Sequence, residues 1–257
     1  IQRHWDQLTQ VHLEIRWIYV LVGALLVAGA YLMVTWAWQE AILMICAKRL
    51  TFGESVGLVN ITQLTKYIPG KIWSYALQMH LLSSHGISKT LALSVNVILL
   101  LSITASNAAI GLGYIAFSAT MLPREVAILC FAVIITFYLF LIFGGNWSIN
   151  LLIKFANKFF TRQLQAISMP VRGTILVHGS CLVSNLAFGL AGYFMAVGIG
   201  LAPDFSLIVP VAASLLLSDT IGLIAFMVPG GIGVREGVMY TMLKPVVDIQ
   251  ICFILPV

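Results

Sequence analysis

Long apolar runs separated by short polar stretches dominate the pattern of the chain. Five of them contain about 20 residues or more, the length that an α-helix needs to cross a bilayer; they cover residues 17–38, 91–117, 125–147, 173–200 and 205–228. A sixth run begins at Val238 and extends to Val257, with Lys244-Pro245 disturbing it. A β-barrel would instead show short segments of alternating polarity. The pattern predicts an all-α polytopic integral membrane protein with about six transmembrane helices.

The stretches between these runs are polar or amphipathic. Residues 1–16 mix charged and aromatic side chains, which is typical of a helix at the membrane interface, and residues 40–50 are apolar on one side and end in Lys48-Arg49. We expect residues 40–50 to form a separate helix at the membrane surface. Residues 148–172 form a basic amphipathic connector.

Composition supports a membrane protein and argues against a water-soluble domain. Hydrophobic residues make up 60% of the 257 positions and charged residues only 9%, which is too apolar for a water-soluble domain. Basic cytoplasmic loops explain the net charge of +5, so the charge does not indicate a nucleic-acid partner. The four cysteines stand singly in apolar runs, so we predict neither a disulfide nor a metal site, and no cofactor.

The distribution of Lys and Arg between the runs predicts an orientation. One side of the predicted membrane carries most of the basic residues, namely Lys48, Arg49, Lys66, Lys71, Lys89, Lys154, Lys158, Arg162, Arg172 and Arg235. The other side carries Arg3, Arg16 and Arg124. The basic side is expected to be cytoplasmic, which assigns loops 39–90 and 147–172 to the cytoplasm of a plasma (inner) membrane. Residue 1 then lies outside, and we expect the sequence to be a piece of a longer chain that lacks a span at each end.

Two proline-glycine pairs interrupt apolar segments. Pro69-Gly70 separates the arms 52–68 and 71–82, each of which is short for a span, so a re-entrant hairpin is predicted there. The second break is the stretch 228–237, with Pro229, three glycines and the adjacent charges Arg235 and Glu236. Proline lacks a backbone N–H and glycine tolerates positive φ, so a helix is expected to break at both places. Broken backbone at membrane depth survives only against protein or a water-filled cavity.

The two breaks predict an inverted repeat. Each follows the start of a long apolar run at a similar distance, 52 residues from Trp17 to Pro69 and 54 from Ile175 to Pro229. Three spans separate the two runs, so the second copy is turned upside down, as in many transporters. The predicted halves are 17–122 and 173–257, within a single transmembrane domain covering 1–257. Alternatively, the two pairs arose independently in a long apolar chain.

The candidate site combines both breaks, because half-helix N-termini and basic side chains attract anionic groups. The predicted substrate-binding residues are Lys66, Tyr67, Pro69, Gly70, Lys71, Pro229, Gly230, Gly231, Gly233, Arg235 and Glu236. Asp219 lies within the fifth run and, with Glu236, is predicted to balance charge or couple ions. The alternatives are that the cations only anchor the protein at the interface and that Asp219 belongs to a structural ion pair.

Other motifs carry little information about chemistry. Gly111-Leu-Gly113-Tyr-Ile-Ala116 matches a loose dinucleotide fingerprint but lies inside an apolar run without a βαβ context. No zinc motif and no catalytic constellation can be read from the order of residues, so we do not expect an enzyme. Asn60, Gln63, Asn96 and Asn107 are expected to form hydrogen bonds between helices rather than to contact a ligand.

Two motifs resemble a known family. Tyr67-Ile-Pro-Gly-Lys-Ile-Trp73 followed by His85-Gly-Ile-Ser88, and later Val228 to Gly237, are similar to the membrane domain of lysylphosphatidylglycerol synthases. The resemblance covers about residues 17–243 and implies the stand-alone, flippase-like form, without the soluble domain that transfers the amino acid. The sequence departs from the family at Asn96, where many members carry an acidic residue, often followed by Arg.

These observations predict a flippase-like protein that moves an anionic or polyprenyl-phosphate lipid between leaflets in cell-envelope metabolism. Its expected partner is therefore a membrane lipid. Two alternatives stay open. One is a membrane enzyme or accessory subunit of lipid-linked glycan synthesis, and the other is a scaffold that recruits a soluble transferase through the connector.

Overall fold

The structure is a computed structural model, and it describes residues 15–67, 73–118, 123–158, 166–225, 228 and 231–247. The helices within these ranges are α1 Trp17–Cys46, α2 Phe52–Gln63, α3 Trp73–Ser84, α4 Lys89–Ser118, α5 Arg124–Phe143, α6 Gly145–Ala156, α7 Val171–Gly198, α8 Ile208–Ile224 and α9 Val234–Leu243. Short 3-10 helices at Leu64–Tyr67 and Phe205–Leu207 extend α2 and precede α8. The described part contains no strand, so the predicted all-α class is confirmed.

Five helical segments are long and apolar enough to cross a membrane. They are α1, α4, α5, α7 and the segment Phe205–Ile224, and they coincide with the five predicted runs. The sixth predicted span does not form one helix, since α9 ends at Leu243 and residues Lys244 to Val246 form a turn. Residues 248–257 lie outside the described residues. The ten residues of α9 reach about 15 Å at 1.5 Å per residue, too short to cross the hydrocarbon core.

The separate surface helix predicted at residues 40–50 is wrong. Helix α1 continues through Gln39 and Glu40 as far as Cys46, and it ends where Ala47 adopts a left-handed backbone with φ 52°. Neither polar residue breaks a helix, and the Gln39 side chain donates a hydrogen bond of 2.6 Å to the carbonyl of Leu50, which folds the following loop back on the helix. Polarity marked the end of the apolar run, but the helix did not end there.

Helices α1 and α7 pack side by side in antiparallel orientation. Val20, near the start of α1, lies against Gly198 at the end of α7, while Met44 at the other end of α1 lies against Gly173. Midway, the Ser184 hydroxyl donates a 2.7 Å hydrogen bond to the carbonyl of Ala30. These two helices open the two predicted halves, and an inverted repeat requires this orientation. The repeat itself stays a prediction.

Polar side chains hold the long helices together inside the bundle. The Trp38 indole N–H of α1 donates to the Asn96 side-chain oxygen of α4 over 3.0 Å. Asn185 of α7 donates to the Ser106 hydroxyl of α4 over 2.6 Å. These bonds confirm the predicted role of Asn96 in joining helices, and small hydroxyl residues permit such close packing. Asn60 differs, because its side chain is exposed and donates to Val56 in its own helix.

The region of the first predicted break contains two short helices. Helices α2 and α3 lie on either side of residues 68–72, and they pack together against the ends of α1 and α4. A capping box starts α2: Glu54 accepts a hydrogen bond from the Thr51 backbone N–H, and Thr51 accepts one from that of Glu54. Short arms on both sides of the Pro69-Gly70 pair agree with the hairpin predicted from the sequence.

Basic residues collect at one end of the bundle. Lys48 and Arg49 follow α1, and the Lys48 side chain lies over Gly86 in the turn before α4. The connector helix α6 lies at the same end, because Ile153 joins the apolar cluster of Ile42 and Leu50. Two asparagines fasten the connector: Asn150 bonds both backbone groups of Ile167, and Asn146 accepts from Met169 N–H. The loops predicted to be cytoplasmic therefore share one end.

Candidate functional site

The second break lies inside a helical hairpin. Gly222 near the end of α8 lies against Gly231, just before α9 begins, whereas Val211 near the start of α8 shares an apolar cluster with Leu243 at the end of α9. The two helices are therefore antiparallel, and the chain returns to the end of the bundle from which α8 started.

The turn of this hairpin lies level with the middle of the bundle. Gly111 of α4 contacts Leu217 of α8, and these two helices are antiparallel, since Ile115 near the end of α4 clusters with Ala213 near the start of α8. Because the helices are antiparallel, seven residues forward along α8, from Leu217 to Ile224, correspond to seven residues back along α4, from Gly111 to residue 104. Residue 104 is the midpoint of the 30-residue α4. The sequence predicted Arg235 to lie on the basic side of the membrane, whereas in the structure it packs on Gly222 beside this turn, level with the middle of the bundle.

Glycines make the tight turn of the break possible. Gly231 and Gly233 have φ values of 76° and 84°, in the left-handed region that other residues rarely adopt. A Cβ atom at Gly231 would also lie 3.0 Å from the Cα and the carbonyl oxygen of Gly222. The backbones of α8 and of the break thus approach each other more closely than side chains would permit.

Arg235 forms an ion pair with Asp219 across the hairpin. One guanidinium nitrogen, Nη2, contacts Oδ1 of Asp219, and the aliphatic stem of Arg235 crosses Gly222, where a Cβ atom would lie 2.5 Å from its Cγ. The side chains are 38% and 26% exposed, so the pair is open enough to be reached by a ligand. Asp219 thus has the geometry of a partner for one of the cations, which was one of its predicted roles.

Glu236 is not the partner of Arg235. Its carboxylate accepts a hydrogen bond from the backbone N–H of Gly233, at the N-cap of α9. Side chains of adjacent helical residues point about 100° apart, so neighbours in sequence do not face each other. Glu236 instead occupies the N-terminus of α9, where the helix dipole favours a negative charge. That N-terminus already holds a carboxylate, although it was predicted to attract an anionic group.

The three charged residues leave a negative balance at the break. Arg235 carries one positive charge, while Asp219 and Glu236 carry one negative charge each. An anion that approaches Arg235 therefore meets a cation that is already paired. The formal charge of these three residues is therefore −1 before any ligand arrives.

A large apolar cavity lies beside the hairpin. Its volume is about 970 Å³, and its described walls come from the middle of α4, from α5, from α8 and from α9. Three threonines lie in these walls, but each hydroxyl donates to a carbonyl of its own helix: Thr104 to Leu100, Thr220 to Leu216 and Thr241 to Gly237. The cavity therefore offers hydrocarbon surface and few free donors.

The cavity and the ion pair occupy neighbouring faces of the same hairpin. Thr220 and Val234 line the cavity, and each is the direct neighbour in sequence of a member of the ion pair, Asp219 and Arg235 respectively. The members of the pair themselves are not among the described lining residues. A charged site and an apolar site thus meet at the mid-depth turn.

The remaining predicted site residues cannot be placed in this geometry. Pro69, Gly70 and Lys71 lie outside the described residues, as do Pro229 and Gly230. Lys66 and Tyr67 are the last two residues of the 3-10 helix that follows α2, but the structure does not describe their side chains. The shared site of the two breaks therefore stays a prediction.

Sequence reasoning missed Gly222 and the cavity. Gly222 follows Asp219 by three residues and therefore lies on the same face of the helix. Once Asp219 is taken as a site residue, this spacing indicates Gly222 as a neighbour. The cavity has no such signal, because its walls combine two pairs of consecutive helices, α4 with α5 and α8 with α9, that are far apart in sequence. In the part of the chain that the structure describes, no three His, Cys, Asp or Glu side chains are placed to hold a metal ion.

Comparison with known proteins identifies the family. The family model described as the lysylphosphatidylglycerol synthase TM region matches residues 2–250. No curated protein and no solved structure matches the chain. The family match covers nearly all of the sequence and includes both broken segments. The chain therefore belongs to the family of the lysylphosphatidylglycerol synthase transmembrane region.

Proposed function

We propose that the protein is a flippase-like membrane protein that moves an anionic or polyprenyl-phosphate lipid between leaflets of the plasma (inner) membrane. The observation that carries this proposal is the partly open Arg235 near the middle of the bundle, directly beside a large apolar cavity. A charge at membrane depth is costly, and such residues usually serve a pathway for ions or substrates. A lipid needs both features, a charged contact for its head group and an apolar surface for its chains.

Arg235 suits the head group for chemical reasons. A guanidinium group stays charged and presents several N–H donors in a plane that matches phosphate oxygens. Its stem is held against Gly222, which fixes the direction of the side chain. In this proposal Lys66 and Lys71 of the first break add the positive charge that the second break lacks.

The apolar cavity suits the lipid chains. Its volume of about 970 Å³ is at the upper end of the range of ligand pockets, roughly 300–1,000 Å³. Its walls belong to α4, to α5 and to the broken hairpin of α8 and α9, so a movement of the hairpin would change its shape. Alternating access would then come from one half of the protein rocking against the other.

The orientation and the partners belong to the same proposal. The basic end, with Lys48, Arg49 and the connector α6, would face the cytoplasm because Lys and Arg accumulate there. A soluble transferase that docks on this connector would supply or use the lipid. The protein itself would move the lipid without changing it chemically.

The test is lipid translocation by purified protein in proteoliposomes, measured with fluorescent phosphatidylglycerol and a membrane-impermeant quencher. Arg235→Ala should reduce the rate at least about tenfold, because the head group loses its charged contact. Arg124→Ala, which removes an exposed charge from the start of α5, is the matched control and should leave the rate unchanged.

Two outcomes would contradict the proposal. Wild-type rates in Arg235→Ala would remove Arg235 from the site. A chemically altered lipid, detected by mass spectrometry of the vesicles, would favour the membrane enzyme of lipid-linked glycan synthesis instead.

A further inference from the structure

We infer that helix α6 lies in the membrane interface at the basic end of the bundle, with one apolar side in the lipid and its lysines on anionic head groups. The inference is independent of lipid translocation, because it concerns the surface of the connector and not the hairpin of α8 and α9. It gives the connector a partner of its own, a bilayer surface that contains anionic lipid.

Helix α6 begins at the level where the membrane-spanning bundle ends. Helix α5 ends at Phe143, and the Asn146 side chain accepts a hydrogen bond from the backbone N–H of Met169, just before α7 begins. Ile153 lies ten residues beyond Phe143, about 15 Å along a helix axis, yet it is only 6% exposed and belongs to the apolar cluster of Ile42 near the end of α1. A helix that continued along the axis of α5 would carry Ile153 away from that cluster. Helix α6 therefore lies across the basic end of the bundle.

An apolar stripe runs along the exposed side of α6. Trp147, Leu151 and Phe155 are spaced four residues apart, which puts them on one side of the helix, and they are 67%, 46% and 60% exposed. The other side of α6 is fastened to the protein through Asn150 and Ile153. Trp, Leu and Phe on one side of a surface helix are typical of helices that bury this side among the lipid head groups and the first part of the chains. Trp147, Leu151 and Phe155 are called the α6 stripe below.

The α6 stripe continues onto the outward-facing surface of α5. The Trp147 ring packs edge to face on the Phe140 ring of α5, with 5.5 Å between the ring centres, and Phe143 at the end of α5 is 69% exposed. Helix α5 is the most apolar of the five candidate spans, with a mean hydropathy of 3.0. Lipid that surrounds α5 therefore reaches Trp147 without interruption. This continuity favours the bilayer over a soluble protein as the partner of the stripe.

Lysines border the α6 stripe. Lys154 follows Leu151 by three positions and Trp147 by seven, so it lies beside both. Lys158 is one further turn along, and both lysines are exposed. Their long stems allow the charged ends to reach head groups while the aromatic rings stay in hydrocarbon.

The charge of the surrounding sequence has one sign. From residue 126 to residue 203 the chain has no acidic residue and four basic ones, Lys154, Lys158, Arg162 and Arg172. Basic residues next to an apolar helix face attract lipids with a net negative charge, such as phosphatidylglycerol. A soluble partner of the connector would then meet its basic residues and not the α6 stripe.

The first experiment measures the depth of the α6 stripe. The full chain, without its cysteines, carries a bimane label at Leu151→Cys and is reconstituted into phosphatidylcholine vesicles with a doxyl group near the head group or deep in the chain. The shallow doxyl group should quench the label at least about twofold more strongly than the deep one, because an interfacial helix buries its apolar side by only about 5–10 Å. Aqueous iodide should quench it at least about threefold less than the same label at Ser88→Cys, an exposed position at the same end.

The second experiment uses the same label to test the preference for anionic lipid. Phosphatidylglycerol with the shallow doxyl group should quench about two- to threefold more strongly than the matching phosphatidylcholine at the same mole fraction and low salt, because the lysines concentrate the anionic lipid. Lys154→Ala combined with Lys158→Ala should remove most of this difference. Arg124→Ala, which removes an exposed charge at the opposite end of α5, is the matched control and should keep it.

Three results would overturn the inference. Iodide quenching equal to that at Ser88 would place the α6 stripe in water, open to a soluble protein. Stronger quenching by the deep doxyl group would place α6 inside the hydrocarbon core. Equal quenching by both head groups, or a difference that persists without the two lysines, would remove them from the lipid contact. Lipid translocation enters none of these measurements, so each result leaves the proposed function unaffected.

Discussion

Two acidic residues near the second break have different tasks that their sequence positions do not reveal. Asp219 is sixteen residues before Arg235 and contacts it, while the adjacent Glu236 caps its own helix. Sequence reasoning identified all three residues as unusual, because charges within apolar runs are rare. It could not pair them, since the pairing depends on how α8 and α9 fold back on each other.

Replacing Gly222 with alanine, the smallest possible enlargement of this residue, should destabilise the protein. In Gly222→Ala the new methyl group would lie 2.5 Å from Cγ of Arg235, so the arginine must move away from Asp219. We expect a loss of about 1–3 kcal/mol in the free energy of unfolding, together with slower lipid translocation. The measurement is unfolding of the purified protein by titration with a denaturing detergent.

Gly29→Ala in α1 is the matched control for this substitution. A Cβ atom there would have no neighbour within 4 Å, so stability should stay the same or rise by up to about 1 kcal/mol from helix propensity. Equal effects at both glycines would contradict the packing of Arg235 over Gly222.

At the scale of helices, the boundaries of the apolar runs were predicted well and the turns between them less well. Helix α4 covers residues 89–118 where 91–117 was expected. The agreement is close because charged residues lie only near the ends of this helix. Helix α1 runs eight residues beyond its predicted end, since Gln39 and Glu40 are compatible with a helix although they are polar. The depth of the second break could not be predicted, because it depends on contacts of α8 with α4 and α7.

The antiparallel packing of α1 and α7 predicts a specific cross-link. In a cysteine-free background, Val20→Cys with Gly198→Cys should form a disulfide under mild oxidation, because a Cβ at Gly198 lies 2.7 Å from the Val20 side chain. Val20→Cys with Gly173→Cys should not react, since Gly173 is at the other end of α7. Mass spectrometry of the digested protein identifies the linked peptides, and the reverse preference would refute the antiparallel arrangement.

The start of α2 should respond to acid. Hydrogen bonds from the Thr51 backbone N–H and hydroxyl, with a smaller effect of His85, lower the pKa of Glu54 below its ordinary value of 4.5. A group with a lowered pKa contributes stability that is complete above its unfolded pKa and is lost as pH falls through the folded one. The first turn of α2 should therefore stay protected from pH 7 to pH 5 and fray below about pH 4.5.

Hydrogen-exchange protection factors of residues 52–56 measure this effect. Glu54→Gln is the control, and its protection should not change over the acidic range. Loss of protection in the wild type between pH 7 and pH 5 would show that another group controls the start of this helix.

For the whole molecule, the class and the family followed from the sequence because they depend on composition and on two local motifs. Fourteen basic residues against nine acidic ones, unevenly spread between runs, also predicted which loops share an end. The structure gathers the loop after α1, the turn before α4 and the connector at one end. The apolar cavity was not predictable, since its walls come together only in the folded bundle.

The depth of the second break determines whether Arg235 can serve a lipid in transit. A break at the surface would leave Arg235 as an ordinary interfacial cation. A break near the middle puts a paired charge beside an apolar cavity. The fold supports the second arrangement through the contacts of Leu217 with Gly111 and of Leu216 with Gly189.

Depth can be measured with a bimane fluorophore on a cysteine at the exposed Ile232, quenched by phosphatidylcholines that carry a doxyl group near the head group or deep in the chain. The same label at Ser88 and at Asp204 marks the two ends of the bundle. Stronger quenching by the deep doxyl group at position 232 than at either reference, corresponding to about 15 Å below the hydrocarbon surface, is the expected result. Quenching at position 232 like that at Ser88 would place the break at the cytoplasmic surface and contradict a mid-depth lipid site.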